Sequence, residues 1–244
     1  GVDNGGQLKA AANTYRQGGN DWWAGPLNIL TASVAPNQNA FWDNVWKINK
    51  SEIDYHISNV GINPTYVIPN SILDWPAHGG PGQDPYLAPF KDTDSNGIYE
   101  PYNGDYPKIK GDQALFMIRN DKGNIHTSTE SEPIGVEQHI MFYGYECDNH
   151  PELNNTVFVN MKLINRSTTT LNDTYIGLWT DYDLGYYMDD YVGCNVGLSL
   201  GYAFNGDAHD EGAAGYGFHP PSIGTILLGG PRADLNDGID NDRD

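Results

Sequence analysis

Ala114-Leu115-Phe116-Met117-Ile118 is an unbroken apolar run that stops at Asn120-Asp121-Lys122-Gly123. A short apolar run closed by a turn signal reads as a buried strand followed by a turn. The pattern continues downstream. Val136 to Glu146 alternates through Val136, His139/Met141, Tyr143 and Tyr145, and Thr156 to Asn165 places Val157, Val159, Met161 and Leu163 on one face. Thr174 to Asp181, Tyr191 to Phe204 and Ile223 to Leu228 are read as three further strands. Asn, Asp and Gly turns at this spacing point to antiparallel pairing in a β-sandwich.

Upstream the pattern is different. Gln38 to Asn49 is the best helix candidate, because Phe41, Val45, Trp46 and Ile48 recur near a 3.6-residue period. Lys50 to Ile57 is a second, with Ser51 as its N-cap. Residues 62–113 are dense in Pro, Gly and Asp and read as a long ordered loop region. No fixed-period repeat and no linker separates two domains. The expected organisation is one β-rich domain over 1–244. Residues 1–112 form a loop-rich part with short helices, 113–230 the main antiparallel sheets and 231–244 the start of a calcium-binding linker.

Composition agrees with this class. Gly (29) and Pro (15) make up about 18 % of the 244 residues, and Tyr (16) and Trp (6) are abundant. Turn-rich β proteins have this profile, whereas disordered acidic tails lack the aromatics. Thirteen Lys and Arg against 32 Asp and Glu leave a net charge of −19. That balance argues against a nucleic-acid or anionic-membrane surface. No apolar run approaches the roughly 18 residues that a membrane helix needs, so membrane insertion is not expected. Cys147 and Cys194 leave open one bridge or two buried thiols. The start at Gly1 and the end within an acidic motif are read as cuts in a longer protein.

The motif richest in chemistry is Asp92-Thr93-Asp94-Ser95-Asn96-Gly97-Ile98-Tyr99-Glu100. It matches the D-x-D-x-N-G opening of a calcium loop, where alternate oxygens converge and a glycine permits the turn. Asp92, Asp94 and Asn96 supply side-chain oxygens, Ile98 a carbonyl, and Glu100 the ninth position. Asn103 stands where an EF-hand has its bidentate Glu, so Asp105 is the candidate for the missing carboxylate. No amphipathic helices flank the loop, which argues against a helix-loop-helix sensor. Asp240, Asp242 and Asp244 form a second such opening at the end of the chain. Asp181, Asp183, Asp189 and Asp190 form a third cluster, whose mutual repulsion a cation would offset. Asn205, Asp207, His209, Asp210 and Glu211 are a weaker version of the same pattern. The expected cofactor is Ca2+.

Other patterns carry less. Gly197-Leu198-Ser199-Leu200-Gly201 spells a G-x-S-x-G elbow, but it sits in a β run rather than between a strand and a helix. His78 and His126 read as structural hydrogen-bonding groups rather than ligands. Trp22, Trp23, Trp42, Trp46 and Trp75 lie among amides and carboxylates, a composition that suits sugar stacking, with core and loop packing as the alternative.

Several strings recur in a characteristic order. They include Gln7 to Ala11, Trp75-Pro76-Ala77-His78-Gly79, Leu87-Ala88-Pro89-Phe90, Asp92 to Glu100, Gly104-Asp105-Tyr106-Pro107, Leu163 to Ser167 and Asp189 to Cys194. This order resembles a family of large secreted proteins of Bacteroidota exported by the type IX secretion system. The resemblance spans essentially the whole chain. It implies export, surface attachment or release, and a C-terminal sorting domain beyond this chain. Related chains commonly carry an aspartate where this one has Asn195.

The expected function is a non-enzymatic, calcium-stabilised extracellular or cell-surface module, structural or adhesive, in a surface layer or filament. Its expected partners are other surface proteins or glycans, or further copies of itself. Two alternatives stand beside it. One is a calcium-dependent glycan-binding module. The other is a glycoside hydrolase using two carboxylates from the 181–190 or 207–211 loops, standing roughly 5–9.5 Å apart.

Overall fold

A computed structural model of the chain describes residues 1–13, 18–34 and 39–230. The chain divides into two compact units, Gly1–Thr174 and Tyr175–Asp244. The division falls inside the 113–230 stretch that the sequence reading joined in a single domain.

The first unit runs β1 (Val2–Asp3), β2 (Trp23–Ala24), α1 (Asn39–Trp42), β3 (Trp46–Asn49), α2 (Lys50–Asn59), α3 (Asn70–Leu73), β4 (Phe90–Lys91), β5 (Tyr106–Pro107), β6 (Gln113–Asn120), β7 (Val136–Gly144), α4 (Pro151–Asn154), β8 (Phe158–Asn165) and β9 (Leu171–Asn172). Its main sheet has five strands in the order β2-β6-β7-β8, with β3 also pairing β6. All ladders between named strands are antiparallel. The all-β, antiparallel class is therefore as expected.

β6 shows why this stretch governs the fold. Ala114, Phe116, Ile118 and Asn120 are buried, and the residues between them are not. The buried face meets Trp46 and Ile48 of β3, Ile53 of α2, Ile72 of α3, and Trp75, Ala77, Leu87 and Ala88 of the loop region in one core. The layer over the sheet is thus helix and ordered loop. Ile48 and Ile72 are fully enclosed, each contributing about 1.5–3 kcal/mol by burial.

Three expected elements differ. The helix over 38–49 is confined to Asn39–Trp42, and 46–49 is strand β3, pairing Trp46 with Phe116 and Ile48 with Ala114. Trp46 and Ile48 are buried and Lys47 is exposed. That period of two outweighs the apparent 3.6 period, because the β6 edge is there to be paired. α2 exists, but its N-cap is Asn49, whose backbone N–H and amide both donate to Glu52 Oε2 (3.0 and 2.6 Å). The expected strand over 174–181 is absent. Tyr175, Ile176 and Leu178 stand exposed there without a ladder.

The second unit holds β10 (Asp190–Asn195), β11 (Leu200–Asn205), β12 (His209–Asp210), β13 (Gly217–Phe218) and β14 (Ser222–Ile226). The single strand expected over 191–204 is a hairpin, β10 against β11, with β14 on the far side of β11. The break is made by Asn195, whose Oδ1 accepts from Leu198 N–H (3.2 Å), and by Ser199 at φ +51°. The G-x-S-x-G letters therefore mark a hairpin turn, not a nucleophile elbow. Cys147 and Cys194 are free, the first half-buried and the second exposed, so neither the bridge nor the pair of buried thiols is found.

Candidate functional site

The loop 92–105 is built around two aspartates. Asp92 Oδ1 accepts from the N–H groups of Ser95 (2.7 Å) and Asn96 (3.3 Å), and Oδ2 from Gly97 (2.7 Å). These bonds, led by the one from Gly97, hold the Asp92 carboxyl below its usual range. Ser95 and Gly97 both have positive φ, +62° and +80°. A side chain that hydrogen-bonds its own downstream backbone makes such a bend affordable.

Asp105 closes the loop from the other side. It is 1 % exposed. Its Oδ1 accepts from Thr93 N–H and Thr93 Oγ1 (both 2.8 Å), and its Oδ2 from Glu100 N–H (2.9 Å). The carboxylate expected as a ligand is spent on the two shoulders of the loop. Asp105 also ties the loop to α2, because its carbonyl accepts from His56 Nε2 (3.1 Å). That bond leaves His56 Nδ1 to accept from the Tyr66 hydroxyl (3.1 Å). Burial, the largest influence on His56, lowers its pKa despite the carbonyl contacts.

Asp94, Asn96 and Glu100 are drawn together by hydrogen bonds within the loop. The Asn96 amide donates to Asp94 Oδ2 (3.1 Å) and Glu100 Oε2 (2.6 Å), while its Oδ1 accepts from Ile98 N–H (2.7 Å). Two carboxylates therefore face one central donor. Next to them, Tyr99 N–H donates to His78 Nε2 (2.7 Å), so His78 Nδ1 carries the proton that reaches Pro85 O (2.5 Å). His78 is a strut between loops, as expected.

The other expected ligands are dispersed. Asp181 and Asp183 are exposed. Asp190 Oδ2 accepts from Leu184 N–H (3.1 Å), and Asp189 Oδ2 from Glu211 N–H (3.4 Å). The carboxyl groups of Asp189 and Glu211 touch, which pushes Asp189 down and Glu211 up. Asp240, Asp242 and Asp244 lie outside the described residues. Among the described residues, no three His, Cys, Asp or Glu side chains are gathered into a metal-holding group. A cation in either loop would draw on amide and main-chain oxygens as well, as calcium commonly does.

One buried network escaped the sequence reading. Glu137 of β7 is fully enclosed. Its oxygens accept from Leu27 N–H (2.7 Å), His139 Nε2 (2.6 Å) and two Arg166 nitrogens (2.9 and 3.2 Å). Burial alone would raise its pKa, but the His139 and Arg166 contacts outweigh that and hold it at about 2. Arg166 also reaches Asp84 (2.8 Å). The only hint in sequence was an acidic residue at an inward position of a strand.

A surface groove of about 460 Å³ in the first unit is lined by Asn20, Trp22, Trp23, Asp43, Asn44 and Arg119, among others. The Arg119 guanidinium lies 4.8 Å from the Trp22 ring, steadied by a bond from Nε to Gln138 Oε1 (2.6 Å). His126 is buried against Ala10 O and Asp121 O, a structural role as expected.

Comparison with family models, with curated proteins and with solved structures gives no match in any of the three.

Proposed function

We propose that the chain is a calcium-stabilised extracellular module, structural or adhesive, of a secreted bacterial surface protein. The observation that carries this reading is the convergence of Asp94 and Glu100 on the Asn96 amide. The loop around it is held in shape from both sides by Asp92 and Asp105. In a calcium-loaded loop the Asn96 side chain turns its oxygen inward, and the ion takes the central place that the NH2 group holds. Asp92, Asp94, Asn96, Glu100 and the Ile98 carbonyl then supply a hard, all-oxygen set. The resemblance to type IX-exported proteins of Bacteroidota supports an extracellular setting, where millimolar calcium matches modules that bind at about 10⁻⁴–10⁻³ M. Bound cations also offset the self-repulsion of a chain with charge −19.

The test is a melting curve of the chain in chelator and in millimolar calcium. Stabilisation by calcium, reversed by chelator, is the expected result. Superimposable curves remove the calcium reading.

The groove beside Trp22 and Trp23 favours a second reading, a glycan-binding module with an indole platform bordered by amides and Arg119. A glycan array with the wild-type chain and Trp22→Ala decides it. Binding that the variant loses supports the reading, and a blank array removes it.

A further inference from the structure

The groove beside Trp22 offers donors that the protein itself does not use. Arg119 stands on β6, whose alternate residues Ala114, Phe116 and Ile118 turn into the core. Arg119 is out of step with them and lines the groove of about 460 Å³. Its guanidinium lies 4.8 Å from the centre of the Trp22 ring, and its Nε donates to Gln138 Oε1 (2.6 Å). These two contacts fix the plane of the fork. Among the described residues, nothing accepts from its two Nη groups and no carboxylate pairs with it. Burial is the one influence on its pKa and acts downward, as expected of a half-buried cation with no counter-charge.

Two amides extend the surplus. Asn20 Oδ1 accepts from Trp22 N–H (3.1 Å), and Asn44 Oδ1 from Val45 N–H (2.9 Å). Those bonds orient each side chain and leave its NH2 group without a protein acceptor among the described residues. Both amides and Arg119 line the same groove, together with the apolar surfaces of Val45 and Met117 and one carboxylate, Asp43. A half-buried charge without a partner is unfavourable, and an entering anion offsets that penalty. The planar fork of a guanidinium matches a carboxylate through two parallel N–H bonds. An indole beside it matches the C–H face of a sugar ring.

We propose that the groove takes a glycan carrying a carboxylate, in the form of a uronic-acid unit, with Arg119 binding the carboxylate and Trp22 the face of the sugar. This rests on the glycan reading of the groove and adds the charge class of the ligand. Asn20 and Asn44 donate to sugar oxygens, and Asp43 accepts from a sugar hydroxyl. The chain's net charge of −19 opposes any anion at long range. At physiological salt that field is screened beyond roughly 8 Å, whereas the Arg119 fork acts in contact.

The experiment is a calorimetric titration of the 244-residue chain with oligomers of α-1,4-galacturonate, β-1,4-mannuronate and unsulfated chondroitin. Each is paired with its carboxyl-reduced, neutral counterpart. At least one acidic oligomer should bind, and at least about tenfold more tightly than its counterpart, because reduction removes the charge-assisted fork. Arg119→Gln should bring the acidic oligomer down to the neutral level, and Trp22→Ala should weaken both members of the pair. Equal affinity within every pair, with Trp22→Ala weakening both members, overturns the carboxylate assignment and leaves the glycan reading standing. Absence of binding by every acidic oligomer overturns the assignment as well, and the glycan array then decides the reading beneath it. Acid-selective binding that persists in Arg119→Gln places the anion elsewhere and also overturns the assignment. If Arg119→Gln loses its β-sheet circular dichroism, Arg119→Lys decides, because it keeps the charge and loses the fork. Its preference for the acidic member should fall, and an unchanged preference overturns the proposal.

Discussion

Asp105 Oδ1 receives both the backbone N–H and the hydroxyl of Thr93, each at 2.8 Å, from a position 1 % exposed to solvent. One carboxylate therefore fixes the entry of the acidic loop, and its second oxygen fixes Glu100 near the exit. Replacing Asp105 by Ala strands two N–H groups and a hydroxyl. The expected cost is about 3 kcal/mol. The first unit should melt roughly 6–12 °C lower, as read by circular dichroism. A shift of less than a degree would show that the clamp is not needed.

The buried Glu137 makes stability pH-dependent. Its carboxyl is held at about 2 in the folded chain, against 4.5 for the ordinary side chain. A depressed folded value means that the stabilisation is complete above pH 4.5 and is lost as pH falls from there toward 2. The gap corresponds to about 3 kcal/mol. Glu137→Gln should remove most of this slope and destabilise the chain at neutral pH, because the buried Arg166 loses its counter-charge. Denaturant titrations between pH 2.5 and 7 check both points.

Asp94→Ala tests the loop without touching the sheet. Among the described residues, Asp94 is hydrogen-bonded within the loop, to Asn96 and toward Asp92. In calcium, the variant should lose the stabilisation that the ion confers, about 0.6–1.8 kcal/mol at roughly 2 mM for a dissociation constant near 10⁻⁴–10⁻³ M. Limited proteolysis should then cut within residues 86–112 while the 113–165 sheet survives. Equal resistance of that segment in variant and wild type, both in calcium, counts against the loop as a binding site.

Core and edge should respond differently. Ile48→Ala removes a fully enclosed side chain between the sheet and α3 and should cost about 2–5 kcal/mol. Val159→Ala, on β8 at 51 % exposure, should stay within about 0.5 kcal/mol. Comparable losses at both positions would mean that β8 is covered in solution.

Where periodicity was long and one-sided, the chain was readable. β6 emerged from alternation because one face is buried and the other is not. β7 buries both faces over residues 137–141, and β8 buries neither, its Val159 and Met161 standing exposed, so there the apolar pattern marked the strand and not its burial. Trp46 and Ile48 misled, since a four-residue strand fits a helical period as well as a β one. Only the distant β6 edge, invisible locally, decides between them. The 191–204 run hid a hairpin because its turn uses Asn195 and Ser199 rather than the usual Asn-Gly pair. In the 92–105 loop the acidic bend of Asp92 to Gly97 was legible, but Asp105's part as a clamp was not, because it depends on which backbone N–H groups lie within 3 Å. Glu137 was missed because it matters through what surrounds it after folding, and that neighbourhood is not local in sequence.

β6 takes β7 on one side and both β2 and β3 on the other. The strands at 23–24 and 46–49 therefore have no sheet to join until residues 113–120 exist. Sixty-four positions separate Asn49 from Gln113. At about 5–20 residues per second of synthesis, the amino-terminal strands wait several seconds for their template. During that interval Trp42, Trp46 and Ile48 are uncovered, so a holding chaperone or rapid early collapse of the 50–90 region has its greatest effect on yield at this stage.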